Sequence, residues 1–132
     1  GSCGYRITAA GRTVVYLTDT APLARPGEGI CDGKKPPAPE KRVIDAMQGA
    51  DLVIMDTMFS WDEYLEKMTW GHAYPEYAVT LAKAAGARQV ALFHHAPDAS
   101  DDELDTLAAS WVEHEDPKVF LAREGLVVDL EG

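Results

Sequence analysis

Apolar positions along the chain fall into short β-like runs separated by stretches with helical spacing. Residues 5–9 and 13–18 are two such runs, separated by Ala10, Gly11 and Arg12, a pattern that reads as a hairpin. Residues 20–39 hold five prolines and three glycines, show no periodicity, and read as a long surface loop. The spacing then turns helical. Val43, Ile44 and Met47 form the stripe of a helix over 40–48, stopped by Gly49. A short apolar strand at 51–55 follows, with Asp56 at its end. Ser60 and Glu63 stand at capping-box spacing and open a helix with Trp61, Tyr64, Leu65 and Met68 on one face. Residues 69–72 form a loop. Pro75 suits a first helical position, Tyr77, Ala78, Leu81, Ala82 and Ala85 follow on one face, and Gly86 closes the helix. A strand at 88–93 leads to His94 and His95. Ser100 and Glu103 make a second capping box, for a helix carrying Leu104, Leu107, Ala108, Trp111 and Val112 inward until Pro117 breaks it. A helical turn over 119–123 and a last strand at 126–130 complete the pattern.

Alternating strands and helices predict a mixed α/β sheet with helices packed on it. Length places all of residues 1–132 in one domain. With 46% apolar and 26% charged residues, the chain can build an ordinary globular core. The formal net charge of -10 argues against a nucleic-acid partner, because neutralising phosphates takes clustered Lys and Arg. It leaves room for an enzyme acting on a phosphate ester, since bound metal ions supply positive charge locally. No apolar run is long enough to span a bilayer and no basic segment precedes an apolar one at the N-terminus, so a membrane partner is not expected. Cys3 and Cys31 lie in neither a Cys-x-x-Cys pair nor a disulfide framework. They read as free thiols in a reducing, cytoplasmic setting.

Three apolar runs end in groups that bind metals or move protons: 13–18 in Asp19, 51–55 in Asp56, and 88–93 in His94 and His95. Ligands of open α/β sheets bind outside the carboxyl ends of strands. One such Asp is commonly a turn residue or a helix cap, but three ends in one chain point to a shared site. His72 joins the candidates because Gly71 lets its loop turn sharply; a surface loop histidine is the alternative. Side chains alternate along a strand, so only one of His94 and His95 faces the site, and His94 is the choice. His114 falls in an acidic helix end and reads as solvated. The eight acids between Asp98 and Asp116 suit a solvated helix whose first turn favours negative charge. Trp61 and Trp111 fall on helix stripes and read as core.

Five segments, Gly-Tyr-Arg-Ile at 4–7, Gly-Arg-Thr-Val-Val-Tyr-Leu-Thr-Asp-Thr at 11–20, Ala-Asp-Leu-Val-Ile-Met-Asp at 50–56, Trp-Gly-His-Ala at 70–73 and Ala-Leu-Phe-His-His-Ala-Pro at 91–97, come in an order that resembles metallo-β-lactamase-fold hydrolases. The similarity is to their phosphodiesterase-like branch, which includes cyclic phosphodiesterases and tRNA 3′-processing endonucleases. It implies the C-terminal half of an αββα sandwich with a dinuclear metal site between two similar halves. Asp19 then matches the aspartate bridging two divalent metals, zinc foremost, with manganese or iron as alternatives. His94 matches the last metal-binding histidine, and His72 the histidine that contacts the scissile phosphate and donates a proton. Asp56 and His95 are expected behind these groups, orienting them. The metals would acidify a bridging water and clamp phosphate oxygens.

Two departures from the resembled pattern change the expectation. A His-x-His-x-Asp-His segment and a further histidine belong upstream, whereas the only histidines are His72, His94, His95 and His114. Residues 73–74 are Ala-Tyr where related sequences carry Ser-Thr. The sequence thus reads as part of a metal-dependent hydrolase, a phosphodiesterase completed by an N-terminal half or a partner chain. Alone, this chain is expected to bind metal weakly and to be inactive. The rival reading is an inactive half-fold serving as an interaction or self-associating module, a homodimer included.

Overall fold

The computed structural model describes residues 2–23 and 38–131; most of the 20–39 segment, Cys31 included, lies outside them. A hairpin opens the chain. β1 (Gly4–Ala9) pairs antiparallel with β2 (Arg12–Leu17), in register from Gly4 opposite Leu17 to Ala9 opposite Arg12. The two turn residues, Ala10 and Gly11, both have positive φ (49° and 74°), the conformation that matches the strand twist in a two-residue hairpin. β2 continues through α1 (Ala38–Met47) to β3 (Leu52–Asp56). After β3 come α2 (Trp61–Glu66) and α3 (Pro75–Ala84), then β4 (Gln89–Phe93), α4 (Asp101–Trp111) and β5 (Lys118–Leu121).

The five strands form one sheet in the order β1-β2-β3-β4-β5, parallel from β2 onward. Each parallel connection steps to the next strand in the same direction. Right-handed crossovers therefore deliver the helices to one face. Val15, Val53, Val90 and Val119 pair in a row across the strands, and Leu17, Met55, Leu92 and Leu121 form the next row on that face. With Met47 of α1 and Tyr77, Ala78, Leu81 and Ala82 of α3 they make up the buried core. The other face carries Tyr5, Tyr16, Ile54, Ala91 and Phe120 in one register row. Tyr5 and Ile7 on it are more than half exposed, and no described helix covers it.

Both capping boxes form. Ser60 Oγ accepts from the Glu63 N–H and Glu63 Oε2 accepts from the Ser60 N–H at 2.8 Å, and Ser100 and Glu103 repeat the arrangement. The Ser100 backbone N–H holds the Glu103 carboxyl below its ordinary range.

The helical stripes are less deeply buried than their spacing predicts. Tyr64 is buried in α2, but Trp61, Leu65 and Met68 are exposed. Six residues make less than two turns of helix, and so short a segment seats one side chain. At the end of α4, Trp111 packs on the core while Val112, the residue that caps the helix, is exposed. His114 is half-buried rather than solvated: its Nδ1 lies 2.7 Å from the Pro117 carbonyl and its ring meets Trp111. The largest difference is at the C-terminus. Residues 118–121 form β5, where a helical turn was expected, and residues 126–130 form no strand. Val119 is the residue that completes the buried valine row, so burial against β4 decides which of two short apolar runs pairs.

One buried carboxylate fastens the chain beyond β2. Glu40 of α1 is fully buried, and its Oε1 accepts from the Leu23 N–H at 2.8 Å and the Tyr77 hydroxyl at 3.0 Å. Burial, and then the Glu40 charge, push the Tyr77 hydroxyl far above the ordinary phenol range. Because this acid is held neutral in the fold, its contribution is complete below pH ~10 and is lost as pH rises above that, where an unfolded tyrosine ionises. Tyr77→Phe is expected to lower stability at pH 7 by about 1–2 kcal/mol and to flatten the alkaline limb of a Tm-against-pH curve; an unchanged curve would contradict the clamp. Asp51 behaves oppositely. The Thr13 N–H bond, reinforced against burial by Arg12 and Arg88, lowers its carboxyl. Its contribution is present above pH ~4 and lost as pH falls through the lowered value. Asp51→Asn should reduce the unfolding midpoint at pH 7 and leave it nearly unchanged at pH 2.

Candidate metal centre

Parallel register brings the carboxyl ends of β2, β3 and β4 side by side, and the loop before α3 closes over them. Asp19 follows β2, Asp56 ends β3, His94 follows β4, and His72 lies in the loop. One ligand atom from each of Asp19, Asp56, His72 and His94 can be chosen so that all four lie within 4.8 Å of one another. The cluster grades from buried to open: Asp56 is fully buried, His72 and His94 are partly so, and the Asp19 side chain is 66% exposed.

Asp56 is the floor of the site. Its Oδ1 accepts from the Met58 N–H at 3.2 Å, and its Oδ2 lies 2.6 Å from His72 Nδ1 and 3.5 Å from His94 Nδ1. An ionised carboxylate only accepts, so the His72 hydrogen belongs on Nδ1 and the lone pair on Nε2. Carboxylates hold metal-binding and proton-transferring imidazoles in this way. His94 Nδ1 also faces Asp19 Oδ1 at 3.8 Å, an electrostatic contact longer than a hydrogen bond. The His72 and His94 rings meet edge to face, 4.8 Å between centroids.

Backbone conformation marks two of the four residues. Asp19 (φ 49°) and His94 (φ 59°) sit in the left-handed region, as does Ala10 of the hairpin turn. Such conformations cost a non-glycine residue roughly 1–2 kcal/mol, and here each turns a side chain at a strand end toward the cluster. Gly71 has φ 89°, a value that only glycine adopts without strain, and it delivers His72 to Asp56.

The donor set fits a divalent cation. Two carboxylates and two imidazoles are the ligands that zinc, manganese and iron accept. The ligand atoms lie within 4.8 Å of one another, wider than the roughly 3.4 Å between ligands of one tetrahedral ion, so holding a single ion would draw the side chains inward. The sequence reading gave Asp19 and His94 to the metal and set Asp56 behind them; the structure places Asp56 and His72 among the converging groups as well. His95 goes elsewhere: its Nε2 lies 3.1 Å from the Ala122 carbonyl, beyond β5. Phe59 was not anticipated. It is buried and packs edge-on against His72, 5.7 Å between centroids. Lying in a short loop after a strand, it belongs to no periodic stripe that would have flagged it.

The family described as "Beta-lactamase superfamily domain" matches residues 1–95. Ribonuclease Z of Myxococcus xanthus is 31% identical over 121 residues, covering 91% of this chain and 38% of that protein. Ribonuclease Z of Halobacterium salinarum is 31% identical over 124 residues, covering 91% and 33%. Among solved structures, the metallo-β-lactamase fold protein YhfI of Bacillus subtilis superposes with a TM-score of 0.62 at 26% identity, covering 92% of this chain and 41% of that one. The short form of human tRNase Z superposes with a TM-score of 0.63 at 19% identity, covering 96% and 38%, a likeness of fold. The chain thus spans about a third to two-fifths of the length of these relatives. On the family match over residues 1–95 and the shared fold, the chain belongs to the metallo-β-lactamase superfamily.

Proposed function

We propose that this chain carries part of the active site of a metal-dependent hydrolase that cleaves phosphate diesters. The convergence of Asp19, Asp56, His72 and His94 carries the reading, with the left-handed backbone at Asp19 and His94 in support. Asp19 and His94 would hold divalent cations, zinc foremost, with the buried Asp56 behind them orienting His72. When bound, they supply Lewis acidity toward phosphate oxygens and make water a better nucleophile. His72, held by Asp56 through Nδ1, has Nε2 as its other nitrogen, and protonated there it can deliver a hydrogen to a departing alkoxide. The relatives named ribonuclease Z make an RNA phosphodiester one substrate class to consider. A net charge of -10 favours a small phosphate ester over a polyanion, which needs clustered basic residues. No described helix is long and apolar enough to cross a membrane, and the exposed free thiol of Cys3 suits a reducing, cytoplasmic setting.

The sheet face bearing Tyr5 and Ile7, both more than half exposed, with Tyr16, Ile54 and Phe120 half-buried beside them, favours a second sheet as its cover, contributed by an N-terminal half with the remaining metal ligands. The rival reading, an inactive module that pairs through this face with another copy, rests on the same surface.

The protein encoded by the native gene is expected to bind zinc or manganese and to hydrolyse bis(p-nitrophenyl) phosphate, while residues 1–132 alone should be inactive. Asp56→Asn should cut the rate of the metal-loaded protein about 10–100-fold, and His94→Ala should lower its metal content. Hydrolysis that persists in excess chelator would refute the metal-dependent reading. A metal-free, inactive dimer in sizing chromatography would favour the rival.

A further inference from the structure

Resting on the hydrolase reading above, we infer that Trp70 and Lys67 form a recognition rim for the organic part of the ester: Trp70 stacks a flat aromatic ring while Lys67 offsets the negative charge of the attached phosphate. Trp70 is 63% exposed, the most exposed of the three tryptophans. An indole left in water forgoes a large burial gain, and this one stands beside the metal centre. Only Gly71 separates it from His72, which keeps the two within roughly 7 Å along the backbone. Beneath it, Phe59 contacts both, edge-on to Trp70 at 6.1 Å and to His72 at 5.7 Å between centroids. The exposed ring is thereby braced on the same side chain that packs the proposed proton donor.

Lys67 adds a charge argument. Its Nζ lies 5.2 Å from the Trp70 centroid and 5.3 Å from that of Phe59, within cation–π range. The chain has 22 acidic and 12 basic residues, yet no carboxylate among the described residues lies within ion-pair distance of Lys67. A cation unmatched by a carboxylate among the described residues, placed against an exposed aromatic ring one residue from His72, is complementary to an anionic ester carrying a ring. The capping box at Ser60 and the chain reversal at Lys67, whose N–H bonds the Glu63 and Tyr64 carbonyls, fix the cation at the end of α2.

Titration calorimetry on the metal-loaded protein from the native gene tests this without turnover, using phenyl phosphate and methyl phosphate as paired probes. Phenyl phosphate should bind about tenfold more tightly, a stacking contribution of ordinary size. Trp70→Ala should remove that preference, Trp70→Phe should restore part of it, and Lys67→Met should weaken both probes. Equal affinity for the two probes, or a preference surviving Trp70→Ala, overturns the rim while leaving the phosphate site standing. Failure of the wild-type protein to bind either probe while it hydrolyses bis(p-nitrophenyl) phosphate overturns the rim alone; failure to bind either probe together with no hydrolysis overturns the hydrolase reading as well. Both side chains lie at the surface, so folding of the variants can be verified by an unchanged Tm.

Discussion

The bond between Asp56 and His72 is the constraint on which the site depends. A fully buried carboxylate is tolerated only where hydrogen bonds and opposite charge replace water. Asp56 finds the Met58 N–H on one oxygen and two imidazoles on the other. Removing either imidazole leaves a buried charge short of partners, so the carboxylate ties the loop before α3 and the end of β4 to the end of β3. The same short contact engages His72 Nδ1 and leaves Nε2 as the ring's remaining nitrogen.

The sheet supplies the frame for that interaction. Parallel pairing of β2, β3 and β4 sets their carboxyl ends level, and the valine row and the row behind it fix the register by burial. A slip of one residue would turn Asp56 toward the helices and Met55 toward the site. The one-directional crossovers that put the helices on one face also leave the other face apolar and without a helix over it among the described residues. The features that build the metal centre at one rim thus create a surface suited to a second sheet.

Beyond the rim, fastening is done by polar groups sunk in the core. Glu40 reaches from α1 to Leu23 and to Tyr77 of α3, anchoring the chain four residues past Asp19. Its position suggests why Asp19 can hold an uncommon backbone conformation: the strand precedes it and the clamp follows it, so local strain is set against two well-packed anchors.

Local chemistry written in the sequence foretold much of this. Capping boxes at Ser60 and Ser100, Pro75 at a helix start and the turn at Gly11 act within a few residues, so they are readable without knowing the fold. The strand ends at Asp19, Asp56 and His94 were equally visible, since a polar group closing an apolar run needs no distant partner to be noticed. Other features needed the assembled molecule. Strand 118–121 wins over 126–130 because Val119 completes a buried row. Phe59 matters only because the sheet brings His72 above it, and Glu40 is buried only because α3 and Leu23 close around it. Periodicity records which side of an element is apolar, whereas contacts between residues 16 to 37 positions apart are decided by packing, and packing alone assembled the four metal-binding candidates into one site.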